Sequence, residues 1–203
     1  MTDNGDAGAP VYEPLAESVR RLIDATIRTE AGADAVEAAK AHVDRAVELL
    51  SDAPMPASFG VRGISDGQPL ASGNVMIGRR NPVAPPLVIH RDADGAVWTE
   101  VILGAAYEGP PGHVHGGVCA LLLDHVLGAT AHQPGRPAYT GTLTLRYARG
   151  TPLGPVRAEA HVDRIEGTKT FAKGHIADTR GVTVTAEGVF IIPTRQATAP
   201  RLS

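Results

Sequence analysis

The first quarter of the chain carries apolar residues at the spacing of two amphipathic helices. Between residues 14 and 50 they recur every three or four positions, and the repeat is interrupted near Gly32. This spacing gathers apolar side chains on one face of a helix. Proline and glycine then become frequent, which is typical of a connection rather than a regular element. We therefore expect a helical extension over residues 1–52 and a connection over residues 53–86.

Residues 87–193 show the alternation of apolar and polar positions that is typical of β-strands. Strands are predicted over residues 87–90 and 97–103, joined by a tight turn at Asp94 and Gly95, because both central positions of that turn favour positive φ. Four further strands are predicted over residues 139–149, 156–164, 170–178 and 182–192, and we expect consecutive hairpins to link them. Residues 194–203 are expected to form a disordered tail.

One segment of this domain, from Gly116 to His132, is apolar on every side of a helix. A helix of this kind is expected to be buried on all sides. The only large apolar surface available to it is the concave side of the sheet. The sequence therefore predicts an α+β domain in which an antiparallel sheet wraps around one long central helix.

Composition excludes several classes of function. The chain has 203 residues and a formal net charge of -3, which fits one domain plus an extension and offers no basic surface for nucleic acid or an anionic membrane. With one cysteine, Cys119, a chain builds neither a disulfide framework nor a thiolate metal cage. The polar N-terminus and the lack of a bilayer-length apolar run predict a cytoplasmic protein that is not exported.

Asp124 lies in the middle of the apolar helix, where an ionised carboxylate is costly unless it is paired or hydrogen-bonded. Two interpretations are open. Asp124 faces a wet gap or a structural partner, or it is a general base or nucleophile whose environment is part of the chemistry.

Gly116 and Gly117 stand at the start of the same helix. Two glycines there let a ligand oxygen approach the free N–H groups of the first turn, as in an oxyanion hole, although a glycine pair also suits a simple tight turn. Gly117 and Asp124 are seven residues apart, or about 10 Å along a helix axis. Both groups would have to lie about 3 Å from one reacting group. We therefore predict a dimer in which the glycines of one chain face Asp124 of the other.

His115, Gly116 and Gly117, then Asp124 nine residues after the histidine, then Thr140 in a predicted strand, resemble the acyl-CoA thioesterases of the hotdog superfamily. The closest branch is the phenylacetate-pathway type with its human thioesterase-superfamily relatives. The resemblance covers residues 81–190, and the combined spacing is more specific than any of the three motifs alone. It implies a hotdog fold with an N-terminal helical extension.

The resemblance also implies a role for each of these residues. Asp124 would activate water or attack the thioester carbonyl, and the amide of Gly116 or Gly117 would bind the oxyanion. Thr140 would position the water or hydrogen-bond Asp124, and His115 would orient the glycine turn or the thioester.

Coenzyme A would bind as part of the substrate, so we expect no separate cofactor. Its phosphates would meet basic residues at the sheet surface, for which Arg146, Arg149, Arg164 and Lys169 are the candidates, although each could equally be a solvated strand residue. The expected partners are an acyl-CoA and a second copy in a homodimer or dimer of dimers, with no nucleic acid and no membrane. Some relatives carry asparagine six residues before the histidine, where this chain has Gly109.

Other chemistries are less well supported. His113 with His115, or His125 with His132, would need a third ligand at the same point to hold zinc, so we predict no metal site. Cys119 could be a nucleophile near a helix N-terminus, but its apolar neighbours favour a small core residue.

The predicted function is hydrolysis of a fatty or aromatic acyl-CoA to free acid and CoA. A hotdog dehydratase, whose motif is not found here, and a non-catalytic acyl-CoA binding protein are the alternatives.

Overall fold

The structure is a computed structural model, and it describes residues 9–54, 64–65, 68–69, 72–132 and 137–193. The predicted tail, residues 194–203, and parts of the predicted connection lie outside the described residues. The helices are α1 (Ala9–Arg28), α2 (Ala33–Leu50) and α3 (Gly116–Ala131), with a short 3-10 helix at Ala105–Tyr107. The strands are β1 (Ile64–Ser65), β2 (Gln68–Pro69), β3 (His90–Arg91), β4 (Val97–Leu103), β5 (Tyr139–Tyr147), β6 (Gly154–Glu166), β7 (Lys169–Asp178) and β8 (Gly181–Ile191).

Six antiparallel strands form one sheet in the order β3-β4-β6-β7-β8-β5, and α3 packs against it. The core lies between helix and sheet, with Leu122, Leu123 and Leu127 of α3 fully buried together with Ile176 and Phe190 of the sheet. This confirms the predicted α+β architecture. No helix in the described part of the chain is long and apolar enough to cross a membrane.

The prediction that hairpins link all four strands after α3 is wrong for the first of them. β5 pairs with β8, while β6 lies between β4 and β7. The connection after β5 passes the start of α3, where the Thr151 carbonyl accepts the Val114 N–H at 2.8 Å. The Thr151 hydroxyl, buried, donates to Thr183 Oγ1 at 2.8 Å. Because the core anchors this connection, the chain does not reverse into a hairpin, and β5 becomes an edge of the sheet.

The first hairpin is present, but its leading strand is shorter than predicted. β3 contains only His90 and Arg91, and Gly95 in the turn has a φ of 88°. Leu87 was expected in the strand, but its N–H donates to the Met76 carbonyl at 2.9 Å. The residues before β3 therefore pack against the preceding loop rather than against β4.

Burial of α3 on all sides, as predicted, is wrong for the single chain. One face of α3 packs against the sheet. On the other face Gly117 and Leu121 are exposed, and Asp124 and Gly128 are half-buried. These four residues follow one another at four-, three- and four-residue spacing, so they form one stripe along the helix. A single sheet covers only one side of a helix, and the stripe is what it leaves open.

The N-terminal extension forms two helices, as expected, with Gly32 at the start of α2. α1 packs against the short 3-10 helix and buries Ala16. No residue of α2 is buried.

Candidate active site

His115 caps the start of α3. Its Nδ1 accepts the Gly117 N–H at 3.0 Å, and its carbonyl accepts the N–H groups of Val118 at 2.9 Å and Cys119 at 3.2 Å. Three of the amides at this helix end are thereby satisfied. Within the described part of the chain the Gly116 N–H has no partner, so it is the amide that a ligand oxygen can reach.

Tyr147 holds the same turn from the sheet. Its hydroxyl donates to the Gly116 carbonyl at 2.9 Å. Desolvation raises the pKa of Tyr147, with the neighbouring Cys119 as a smaller cause, so the hydroxyl stays protonated and able to donate. The peptide between Gly116 and Gly117 is thus fixed at both its carbonyl and its N–H. Tyr147 was not among the candidates from sequence, although its place on the helix-facing side of β5, with Leu145, was a usable signal.

Asp124 is half-buried on the open stripe of α3 and accepts a hydrogen bond at Oδ1 from the Thr140 hydroxyl at 2.8 Å. The register of β5 against β8 shifts between Thr140 and Thr142, with Gly141 as the extra residue. A bulge of this kind re-aims a side chain. An added Cβ at Gly141 would lie 2.8 Å from Ile191 Cδ1, so a larger residue there would require the Ile191 side chain to move. The structure therefore brings Thr140 and Asp124 together, as the resemblance implied.

The Gly116 amide and Asp124 do not meet within one chain. They lie eight residues apart on one helix, which is about 12 Å along its axis. A carboxylate and an oxyanion donor that act on one carbonyl need a far shorter separation. A complete site would require the corresponding helix of a second chain.

Arg149, a candidate for binding the phosphates of CoA, forms hydrogen bonds to other residues of the same chain. Its guanidinium donates to Asp178 Oδ2 at 2.9 Å and to the Gly181 carbonyl at 2.7 Å, which ties the end of β5 to the turn between β7 and β8. The hydrogen bond from Arg149 is the main reason why the pKa of Asp178 lies far below its usual range. These contacts favour a structural role for Arg149.

The other three basic candidates lie on the side of the sheet away from α3. Arg164 stacks over the Phe171 ring at 3.6 Å, pairs with Asp163 and Glu166, and lines a cleft of about 220 Å³. Arg146 and Lys169 are exposed on the same face. Within one chain the sheet separates them from Asp124, so their role toward CoA stays a prediction.

Gly109 is where this chain departs from the asparagine of some relatives. An added Cβ there would lie 2.7 Å from His115 Cα, so the histidine backbone takes the space that a side chain would need. Glycine therefore allows the loop before α3 to close on His115.

The geometry disfavours a thiol nucleophile. Cys119 is buried with its Sγ 3.7 Å from Thr151 Oγ1, and burial raises the pKa of the thiol.

The histidines and acidic residues near the site do not form a metal centre in the described residues. Burial lowers the pKa of His125, which lies beside Asp124. No group of three or more metal-binding side chains occurs in the part of the chain that the structure describes.

Comparison with known proteins shows the family to which the chain belongs. A family model described as thioesterase superfamily matches residues 111–185, which include the glycine turn, Asp124 and Thr140. A crystal structure of a thioesterase superfamily protein is 35% identical, with a TM-score of 0.76, and covers 89% of this chain and 94% of that protein. The chain belongs to the thioesterase superfamily. The resemblance inferred from sequence is confirmed.

Curated relatives match over less than half of the chain. Acyl-coenzyme A thioesterase THEM5 of Homo sapiens is 32% identical over 91 residues, which are 43% of this chain and 37% of that protein. Acyl-coenzyme A thioesterase THEM4 of Xenopus laevis is 39% identical over 74 residues, 36% of this chain and 33% of that protein. The matched part of the chain thus spans about a third of the length of these relatives.

A more distant solved structure shares the fold alone. It is a phenylacetic acid degradation-related protein from Ralstonia eutropha JMP134, 20% identical with a TM-score of 0.51, which covers 72% of this chain and 98% of that protein.

Proposed function

We propose that this protein is an acyl-CoA thioesterase that hydrolyses a fatty or aromatic acyl-CoA to the free acid and CoA. The observation that carries the proposal is Asp124, a carboxylate on an apolar helix whose Oδ1 is held by the Thr140 hydroxyl at 2.8 Å. One oxygen is thereby fixed, and the other is available to accept a proton or to attack a carbonyl. The named function of THEM4 and THEM5 supports the same chemistry.

Gly116, rather than Gly117, is the proposed oxyanion donor. The Gly117 N–H is already bonded to His115 Nδ1, whereas the Gly116 N–H is open at the positive end of the helix dipole. His115 and Tyr147 then serve to hold the turn. The role of His115 toward the turn is the one favoured here over contact with the thioester.

In the proposed reaction Asp124 takes a proton from water as the water oxygen attacks the thioester carbonyl. The Gly116 N–H of the partner chain stabilises the negative oxygen of the tetrahedral intermediate. The carbon–sulfur bond then breaks, the acid is released, and the proton on Asp124 passes to the CoA thiolate. Alternatively, the Asp124 carboxylate itself attacks the thioester carbonyl, the carbon–sulfur bond breaks and the CoA thiolate leaves. Water then hydrolyses the mixed anhydride to the free acid and the regenerated carboxylate, and the proton that water gives up neutralises the thiolate.

The direct test is thiol release from a panel of short, long-chain and aromatic acyl-CoAs. We expect wild type to turn over at least one of them, and Asp124→Asn to lose about 10²-fold or more in kcat, the range typical of removing a general base. Saturable acyl-CoA binding without turnover would instead identify a binding protein. An acyl adduct on Asp124, seen by mass spectrometry after rapid quenching, would identify the nucleophile route.

The proposal includes a homodimer, or a dimer of dimers, with composite sites. A cytoplasmic location and a place in lipid metabolism remain predictions that rest on sequence.

A further inference from the structure

α1 of the N-terminal extension contacts the loop of residues 78–84, in the connection that precedes the sheet. Arg79 pairs with Glu13 of α1, and Arg80 lies over the Tyr12 ring, but most of the hydrogen bonds come from the Arg20 guanidinium. Arg20 donates from Nε to the Ala84 carbonyl at 3.0 Å, and from Nη2 to the carbonyls of Asn81 at 2.9 Å, Arg79 at 3.1 Å and Gly78 at 3.4 Å. The Arg20 side chain is only 17% exposed. Hydrogen bonds from a charged donor are stronger than neutral ones, so these contacts fix residues 78–84 relative to α1.

The same loop contacts Tyr107, which in turn is hydrogen-bonded to His115. The Tyr107 hydroxyl donates to the Val83 carbonyl at 2.9 Å. Burial raises the pKa of Tyr107, and the charge of Arg20 partly offsets this, which reflects how close the two side chains lie. The backbone of Tyr107 then faces the glycine turn, since its carbonyl accepts the His115 N–H at 2.9 Å.

His115 connects this series of contacts to the proposed oxyanion donor. Its N–H is held by Tyr107, and its Nδ1 holds the Gly117 N–H. The peptide between His115 and Gly116, which carries the open amide, is therefore oriented from both sides.

We infer that Arg20 is a positioning residue that holds the His115–Gly116 turn through the 78–84 loop and Tyr107, so that the N-terminal extension is part of the catalytic unit. The inference rests on the proposed function only for its kinetic consequence. Its structural consequence, a more rigid turn, can be measured on its own.

The kinetic test compares Arg20→Gln with Arg21→Gln. Arg21 is the neighbour on the same helix, exposed, with one hydrogen bond to Ser18 Oγ at 3.1 Å, and it is the matched control. Because small displacements of an aligned group are costly, we expect Arg20→Gln to lower kcat about 10-fold while KM changes less than about twofold. Arg21→Gln should behave as wild type. A rise in KM alone, or equal behaviour of the two variants, would overturn the inference.

Amide hydrogen exchange at Gly117 tests the turn without any substrate. We expect exchange to be at least about fivefold faster in Arg20→Gln than in wild type or Arg21→Gln, since local opening exposes the N–H that His115 protects. Unchanged exchange rejects the inference even if the protein is an active thioesterase. Faster exchange in a protein with no thioesterase activity upholds the coupling and rejects the proposed function instead.

Tyr107→Phe provides a second variant in case Arg20→Gln fails to fold. It removes only the hydroxyl that donates to Val83, and it leaves the Arg20 contacts in place. The same fall in kcat and the same faster exchange at Gly117 are expected. Wild-type values for both quantities in Tyr107→Phe would show that the loop does not act through Tyr107.

Discussion

Gly116 is the first helical residue of α3, where an amide hydrogen can be deleted without breaking the helix. His115 before it has φ -59° and ψ 135°, which a residue preceding proline adopts readily, and proline is well tolerated at a first helical position. We expect Gly116→Pro to lower kcat by about 10²- to 10³-fold, the range for loss of one oxyanion donor. The measurement is steady-state thiol release, with circular dichroism to confirm the fold.

Gly116→Ala is the matched control, because it keeps the N–H and places a Cβ in ordinary contact, 3.4 Å from Tyr147 Cε1. It should retain most of the activity. Full activity in a folded Gly116→Pro protein would remove this amide from the mechanism.

The Thr140 hydroxyl is the one side-chain donor to Asp124 found in the described residues. In Thr140→Val the carboxylate loses its fixed orientation, and we expect kcat to fall about 10-fold, as for a misaligned general base. Thr140→Ser is the control, since it keeps the hydroxyl that donates to Asp124. Equal activities of the two variants would contradict a positioning role for Thr140.

Local chemistry explains which residues of the site could be predicted from the sequence. Asp124 is a candidate from sequence because a carboxylate among apolar neighbours is costly, and the glycine pair is one because of its place before a helix. The choice between Gly116 and Gly117 depends on where the His115 ring points, and no spacing rule gives that. Tyr147 was missed because an aromatic residue in an alternating strand is common.

At the scale of elements, the ion pair between Arg149 and Asp178 links the end of β5 to the turn between β7 and β8. The bond from Arg149 depresses the pKa of Asp178 in the folded protein. The pair therefore contributes its full stabilisation at pH values above the pKa that Asp178 has in the unfolded chain, about 4. This contribution is lost as the pH falls from there toward the lower pKa of Asp178 in the folded protein. In urea unfolding, the stability difference between wild type and Asp178→Asn should be constant above pH of about 5 and shrink below about 4.

Asp44→Asn on α2 is the control for this pH dependence, because Asp44 forms only an exposed pair with Lys40. It should differ little from wild type at any pH. A difference between wild type and Asp178→Asn that grows on acidification would contradict the assigned sign.

Strand positions followed from alternation, but strand partners did not. The repeat along β5 shows which side chains share a face, yet its pairing with β8 rather than β6 is decided by the buried connection through Thr151. The bulge at Gly141 is likewise invisible in the repeat, because it is a feature of how β5 pairs with β8. Periodicity is local information, whereas pairing and bulges depend on residues far apart in sequence.

At the scale of the whole molecule, the open stripe of α3 is the strongest support for a dimer. Leu121 is an apolar residue in the middle of α3, yet it is 37% exposed. Asp124 lies about one turn further along the same stripe. Covering the stripe with the antiparallel helix of a second copy would bury Leu121 and bring each Asp124 to the partner's Gly116. We expect light scattering to give a dimer or a multiple of it, and Leu121→Glu to dissociate that dimer with loss of activity.

Mixing two inactive variants separates composite sites from sites contained within one chain. Asp124→Asn and Gly116→Pro chains, unfolded together in equal amounts and refolded, would pair at random, so half of the dimers would contain one of each. Every mixed dimer then has one site with both native groups and one site with neither, and the mixture should recover about a quarter of wild-type activity. Each variant refolded alone should stay inactive. If Asp124 and the Gly116 amide acted within one chain, no mixture could contain an intact site, so a mixture as inactive as its components would exclude the composite arrangement.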